Sequence, residues 1–398
     1  MLYYGMDNKE YLLTDQIGAG GEGFVYEVQG NSNIVAKIFK KINSETILKI
    51  KLLSQFHFSD IINKSVTLPI TALFSDKEHF GDCVGFIMNK LVCKEMLLDV
   101  YNQPDDRISI YNQAYLALDL SRIVDEIHKS GYINDHYSIL IGDFNPKNIF
   151  VDRKNGNIQI TDSDSFHIRV NYQGRVRTLR CGVLWKDMFI IPELLKICRE
   201  QNANLTTAQG ETFTVYTDRF LLAYHIHKLL LGVDPYGRPK SISKYSSSSV
   251  SAPPTNAMAI GGNYIYTNVL NGYQIPDRYP DFDVLTPTLQ ELFRRAFQYG
   301  ASDPEVRPTA KEFSDALEDY IESLEYCECS GWDHYLRKDY NKPYCEWCRV
   351  EHEYGQKRNF YPKNIPYMND NELEYCMKID LSDHYKTLIR KELKKRRK

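Results

Sequence analysis

Residues 141–162 constrain this 398-residue chain more tightly than any other stretch. In "IGDFNPKNIFV" an acid, two amides, a proline and a base sit between apolar residues. The turn signal "DRKNGN" and the strand-like "IQIT" follow and deliver Asp162. A surface turn ahead of a buried strand would account for the pattern. So would a site that must hold the carboxylate of Asp143, the amide of Asn148 and the carboxylate of Asp162 at fixed separations. The flanking sequence decides between them.

Upstream, "YLLTDQIG", "GFVYEVQG" and "NIVAKIFK" alternate β-branched and aromatic residues with glycine punctuation, which predicts three short strands between Tyr11 and Lys40. "SETILKIKLLSQF" places Ile47, Ile50, Leu53 and Phe56 at helical spacing behind an N-cap candidate, Ser44, and "CVGFIMNKLV" reads as a further strand. From about residue 108 helices dominate, beginning with "ISIYNQAYLALDLSRIVDEIHKSG". Residues 237–262, rich in Ser, Pro and Gly, read as a mobile insertion. A single core usually stops growing near 250–300 residues, so the length suits a two-lobed domain with an added module. The formal charge of −3 provides no global field for nucleic acid; only "RKELKKRRK" at the C-terminus is strongly basic, and it reads as a solvated end. The start lacks the pattern of a signal peptide. "FLLAYHIHKLLLGV" is interrupted by His225, His227 and Lys228 and falls short of the roughly 20 apolar residues of a membrane span, so a cytoplasmic protein is expected.

Gly18, Gly20 and Gly23 form G-x-G-x-x-G, with Val25 just beyond. Plain hairpins and dinucleotide-binding loops share this spacing, but a dinucleotide loop opens into a helix and here a second strand follows. A hairpin whose backbone N–H groups lie over phosphates fits better. Lys37, fourteen residues beyond Gly23, lies on the third of these strands, where a phosphate ligand belongs. The downstream set suits phosphoryl transfer: Mg²⁺ on hard oxygen ligands neutralises the clustered charge of ATP, while one carboxylate orients the attacking hydroxyl and accepts its proton.

These residues resemble the protein-kinase superfamily from about Leu12 to Leu324. "IIPELL" resembles the end of an activation segment at Pro192 and Glu193, "YTDRFLLAYHIHKLLLG" a buried central helix whose Asp218 braces the catalytic loop, and "DPEVRPTAKEF" a late element whose Arg307 pairs with Glu193. The combination G-D-x-N-P-x-N with D-x-D-S-F is similar to the bacterial YegI-like kinases. The resemblance implies an α+β, bilobal protein-kinase-like fold: a small antiparallel β lobe over 1–91, a larger helical lobe over 92–324, a zinc-ribbon-like module over 325–352 and a tail over 353–398. It implies ATP-dependent phosphorylation of Ser/Thr on a protein substrate, with Asp143 as base, Asn148 and Asp162 on Mg²⁺ (or Mn²⁺) and Lys37 on the phosphates. Gly18, Ala19, Gly20, Gly21, Gly23, Val25 and Val35 would line the nucleotide. Met88 would guard the back of the pocket, with Asn89 and Leu91 presenting backbone to the adenine edge. Partners implied for the group include a metal-dependent phosphatase and a von Willebrand A-type protein.

Departures from the common pattern carry physical meaning. Gly142 replaces the arginine that clasps a phosphorylated activation loop, in a segment that would contain Tyr172 and Thr178. Asn145 replaces a cation that stabilises the transferring group. Asp164, two residues beyond Asp162, would help hold metal or cap a turn. No glutamate on the helix after the third strand evidently pairs with Lys37; Glu45 lies early and reads as a helix-start charge. These gaps keep open a pseudokinase-type nucleotide-binding scaffold, and a small-molecule phosphotransferase of the same fold is the other alternative.

"CECSGWDHYLRKDYNKPYCEWC" contains Cys327, Cys329, His334, Cys345 and Cys348, five donors where tetrahedral Zn²⁺ needs four. Resemblance to the zinc ribbon attached to such kinases selects Cys329, His334, Cys345 and Cys348, with Cys327 spare. A site filled by protein is structural, and it would fold a segment too short for its own core.

Overall fold

The computed structural model describes residues 1–79, 81–102, 108–130, 138–153, 155–181, 191–202, 213–242, 255–327, 333–353, 362–379 and 381–397. Helices and strands are both abundant, in agreement with the α+β expectation. The chain divides into two compact units: residues 1–94, 125–150 and 159–185 form the first, and 95–124, 151–158 and 186–398 the second.

In the first unit the alternating segments become β2 (Glu10–Ala19), β3 (Gly23–Val28) and β4 (Asn31–Phe39), followed by α1 (Ser44–Leu53), β5 (Pro69–Phe74) and β6 (Cys83–Asn89). An additional strand, β1 (Leu2–Gly5), lies ahead of the predicted ones. It pairs antiparallel with both β2 and β5 and closes a barrel in the order β1-β2-β3-β4-β6-β5. Closure leaves these strands no free edge. Leu13, Val28, Ala36, Leu73 and Ile87 fill the interior. Successive strand residues point to opposite faces, so Val35, Lys37 and Phe39 project outward. There α1 packs its Ile50 against Ala72, Phe74 and Phe86, the burial of a large side chain such as Ile50 contributing about 2 kcal/mol. The cap of α1 is Asn43, which accepts from Thr46 N at 2.7 Å, so Ser44 opens the helix rather than capping it. The same unit contains a sheet of β7 (Ser138–Leu140), β8 (His167–Tyr172) and β9 (Arg175–Leu179) in the order β9-β8-β7, with Tyr172 opposite Arg175 and Thr178 opposite Arg169.

The second unit is mainly helical. Its central helix, Val215–Leu231, starts at a capping box made by Thr214 and Thr217 and stops at Gly232, whose φ of 70° suits the left-handed C-cap. Asp218 on that helix is fully buried. Arg307, with 0% exposure, donates to both carboxylate oxygens of Glu193 at 2.8 and 2.7 Å and to the carbonyls of Gly300 and Tyr216. Within the expected insertion, Lys240–Ser241 pairs with Tyr273–Gln274 and Thr255–Ile260 is helical, while residues 243–254 lie outside the described residues. The basic C-terminus is not a free end. It forms the helix Asp383–Arg396, whose Ile389 packs with Ile365, Met368, Leu373 and Cys376 and whose Arg396 donates to Met368 O at 2.6 Å. Among the described residues, no helix is long and apolar enough to cross a membrane.

Candidate active site

The glycine hairpin joins β2 to β3. Gly18 pairs with Val25, and Gly20 N donates to Gly23 O at 2.9 Å. The glycines have different reasons to be there. A Cβ on Gly23 would meet Ile38 O at 2.4 Å, so the close passage of β4 requires that residue. At Gly20 and Gly21 a Cβ would meet nothing within 4 Å, and neither has the positive φ that only glycine adopts easily. The fold itself therefore does not demand glycine at these two positions. Ala19, between Gly18 and Gly20, pairs with Phe24 at the end of β2.

Strand register assembles one outer face of the barrel. Val25 lies opposite Lys37, Val35 opposite Met88, and Ile34 opposite Asn89, with Leu91 two residues beyond the end of β6. Directly opposed residues share a face, so Val25, Val35, Lys37 and Met88 line one side. Lys37 is 7% exposed. Its ammonium donates to Asp162 Oδ1 at 3.0 Å and to both oxygens of Asp164 at 2.9 and 2.8 Å, with Glu22 at 3.7 Å. Burial alone would lower the pKa of Lys37; the charges of Asp164 and Asp162 outweigh it and hold the ammonium above the ordinary lysine value.

The 141–148 stretch folds as a tight loop. Asn145 Oδ1 accepts from Lys147 N at 2.9 Å, and Asn145 O accepts from Asn148 N at 3.1 Å. Asn148 Nδ2 donates to Asp143 O at 3.1 Å and Asp143 Oδ2 at 3.2 Å, so the five-residue spacing serves a direct contact between the two side chains. Asp143 is buried and Asn148 half-buried. Thr161 N donates to Asn148 O at 2.8 Å, tying the loop to the segment that delivers Asp162. Asp162 has φ 58° and ψ 41°, a left-handed conformation that costs a non-glycine residue energy and recurs at functional sites. Asp143, Asn148, Lys37 and Asp162 all belong to the first unit.

Three details were hidden in the sequence. Asp164, whose place two residues beyond Asp162 suits a metal ligand or a turn cap, is buried against Lys37. Glu45 accepts from the backbone N–H of Arg180. Gly142 has φ +72°, and a Cβ there would meet Cys181 Cβ at 2.9 Å, so backbone conformation and the approach of Cys181 both exclude a larger residue.

A second cluster lies in the other unit. The ligand atoms of His334, Cys345 and Cys348 fall within 4.8 Å of one another and could hold a metal ion. His334 Nδ1 lies 3.6 Å from Cys345 Sγ and 3.4 Å from Cys348 Sγ, while Nε2 contacts Glu351 Oε1 at 2.9 Å. A ring nitrogen aimed at two thiols, with the other held by a carboxylate, is the arrangement a metal-bound histidine uses. Trp347 Nε1 donates to Tyr335 O at 2.8 Å and anchors the helix Glu346–Glu353. Cys329 lies outside the described residues; Cys327 N donates to His334 O at 3.0 Å.

No family model matches the chain. It is 26% identical over 352 residues to Protein kinase YegI of Escherichia coli (strain K12), covering 86% of this chain and 49% of that protein. To Protein kinase YegI of Escherichia coli O157:H7 it is 26% identical over 349 residues, covering 85% and 48%. These similarities support a YegI-like kinase family. The chain spans about half the length of the curated relatives it matches.

Proposed function

We propose that this chain is a protein kinase with a bilobal kinase-like fold, transferring the γ-phosphoryl group of ATP to a Ser or Thr hydroxyl of a protein partner. The observation that carries the reading is the meeting, within one compact unit, of a buried lysine and Asp162 at 3.0 Å with a loop whose Asn148 is tied to Asp143. Asp143 orients the acceptor hydroxyl and takes its proton as the oxygen forms its bond to the γ-phosphorus and the bond to the β–γ bridging oxygen breaks. Lys37 provides positive charge to the phosphates, and the open space over Gly20 and Gly21 leaves the hairpin backbone room to approach them. Asn148 and Asp162 offer the hard oxygen ligands that suit Mg²⁺, which when bound offsets phosphate charge. His334, Cys345 and Cys348, with Cys329, would hold a structural Zn²⁺; thiol and imidazole donors suit that ion. A metal-dependent phosphatase or a von Willebrand A-type protein is the partner class to test first.

A nucleotide-binding scaffold is favoured by one observation: no acid of α1 is ion-paired with Lys37. Label transfer from γ-labelled ATP with Mg²⁺ or Mn²⁺ separates the readings. The parent chain is expected to label a co-supplied protein or itself, and Asp143→Ala to lose at least about 10²-fold of that rate. Nucleotide binding without any transfer would establish the scaffold instead.

A further inference from the structure

The charged residue that α1 turns inward is a lysine. Lys49 is 2% exposed, and its ammonium donates to Arg180 O at 3.0 Å. The acid on the same helix, Glu45, is spent on the Arg180 N–H. Two cations, Lys37 and Lys49, are thus buried together; the charge of Glu45 acts on Lys49, but no acid of α1 pairs with Lys37, and an uncompensated buried ammonium is costly.

The anion comes from a different place in the chain. Asp164 has a side chain only 1% exposed and accepts from Lys37 through both oxygens. It lies with Lys49, Glu22 and Arg180 around a cleft of about 590 Å³, and its charge also acts on Lys49. The turn Ser163–Ser165 that bears it is pinned, with Ser163 Oγ donating to Thr67 O and Ser165 Oγ to Asp162 O, each at 2.7 Å. Asp162, by contrast, contacts Lys37 through one oxygen and leaves its side chain 45% exposed.

We propose that Asp164 is the positioning residue for Lys37, an anchor displaced from α1 to the turn after Asp162, with Lys49 occupying the place where an acid would otherwise stand. The arrangement divides labour between the two acids. Asp164 holds the ammonium from the buried side, so Asp162 can turn its exposed carboxylate to another ligand without releasing Lys37. The inference rests on the kinase reading for its catalytic consequence, but the pairing can be tested without any activity.

The test is pulse acetylation of the nucleotide-free full chain with an N-hydroxysuccinimide ester, reading Lys37 by mass spectrometry. The reagent reaches the amine only when Lys37 leaves its carboxylate partners, and Asp164 holds it through two oxygens where Asp162 uses one. Asp164→Asn is expected to raise the labelling rate of Lys37 about tenfold, and Asp162→Asn to raise it less. Equal or greater labelling in Asp162→Asn, or unchanged labelling in Asp164→Asn, would overturn the assignment. If Asp164→Asn does not fold, the pair Asp164→Gly and Asp164→Gly/Lys49→Glu decides: protection restored in the double variant supports the displaced anchor, and Lys37 as reactive as in Asp164→Gly refutes it. In the transfer assay, Asp164→Asn is expected to lower kcat about 10²-fold with a much smaller change in KM for ATP, as for a misplaced positioning group. A parent chain that transfers nothing would refute the kinase reading, while the labelling result still decides the anchor.

Discussion

Replacing Glu193 by alanine tests the packing of the helical unit at one point. Arg307 has no exposed surface, and Glu193 is its sole ionic partner among the described residues, through two parallel hydrogen bonds. Such bidentate pairs are the stronger kind. Breaking a buried pair typically costs about 3–5 kcal/mol, because the remaining charge is left without compensation. Two features pull the value to the lower end: the Glu193 side chain is 25% exposed, and Arg307 keeps the Gly300 and Tyr216 carbonyls. About 3 kcal/mol is therefore expected, or roughly 6–12 °C in the melting of a unit this size. Differential scanning calorimetry of Glu193→Ala, Arg307→Leu and the double variant would measure it. The double variant should be less destabilised than the two single losses added together, since removing both charges leaves neither stranded. Additive losses, or a Glu193→Ala shift under about 2 °C, would refute the reasoning.

Three further outcomes follow from the geometry. Gly20→Ala and Gly21→Ala should leave melting unchanged and weaken ATP binding, whereas Gly23→Ala should destabilise through its contact with Ile38 O; calorimetry beside nucleotide titration checks both. Burial pushes the Glu372 carboxyl up to about 7, so the folded chain binds a proton there that the unfolded chain has released above about 4.3. That stabilisation is complete below about pH 4.3 and is lost as pH rises through 7; Glu372→Gln should flatten the fall in melting temperature between pH 5 and 8. Removing metal with a strong chelator should lower melting of the parent by several degrees and leave Cys348→Ser unaffected, with released Zn²⁺ read by a colorimetric dye.

Much of the candidate site was legible because its logic is local. The five-residue spacing of Asp143 and Asn148 is the reach of one side chain to another across a tight loop, and alternation on β4 alone sends Lys37 outward from the barrel. The Arg307 and Glu193 pairing was legible in another way, through a resemblance covering most of the chain. Glu45 and Asp164 were not legible. Each choice of partner crosses more than a hundred residues, Glu45 to Arg180 and Lys37 to Asp164, and no periodicity reports which charges the packing brings together. The role of Gly142 was hidden for a related reason: a missing side chain in the sequence is a required backbone conformation in the fold.

The sequence by itself determined the strands, the glycine hairpin, the order of acids and amide, and the paired cysteines, since these depend on side-chain period and short loops. Tertiary structure decided that β1 closes the barrel, that the basic end forms a packed helix, and that Lys37 takes its carboxylates from Asp162 and Asp164 rather than from α1. Burial decides such choices, because an ammonium removed from water must take the carboxylate that the packed chain leaves within reach.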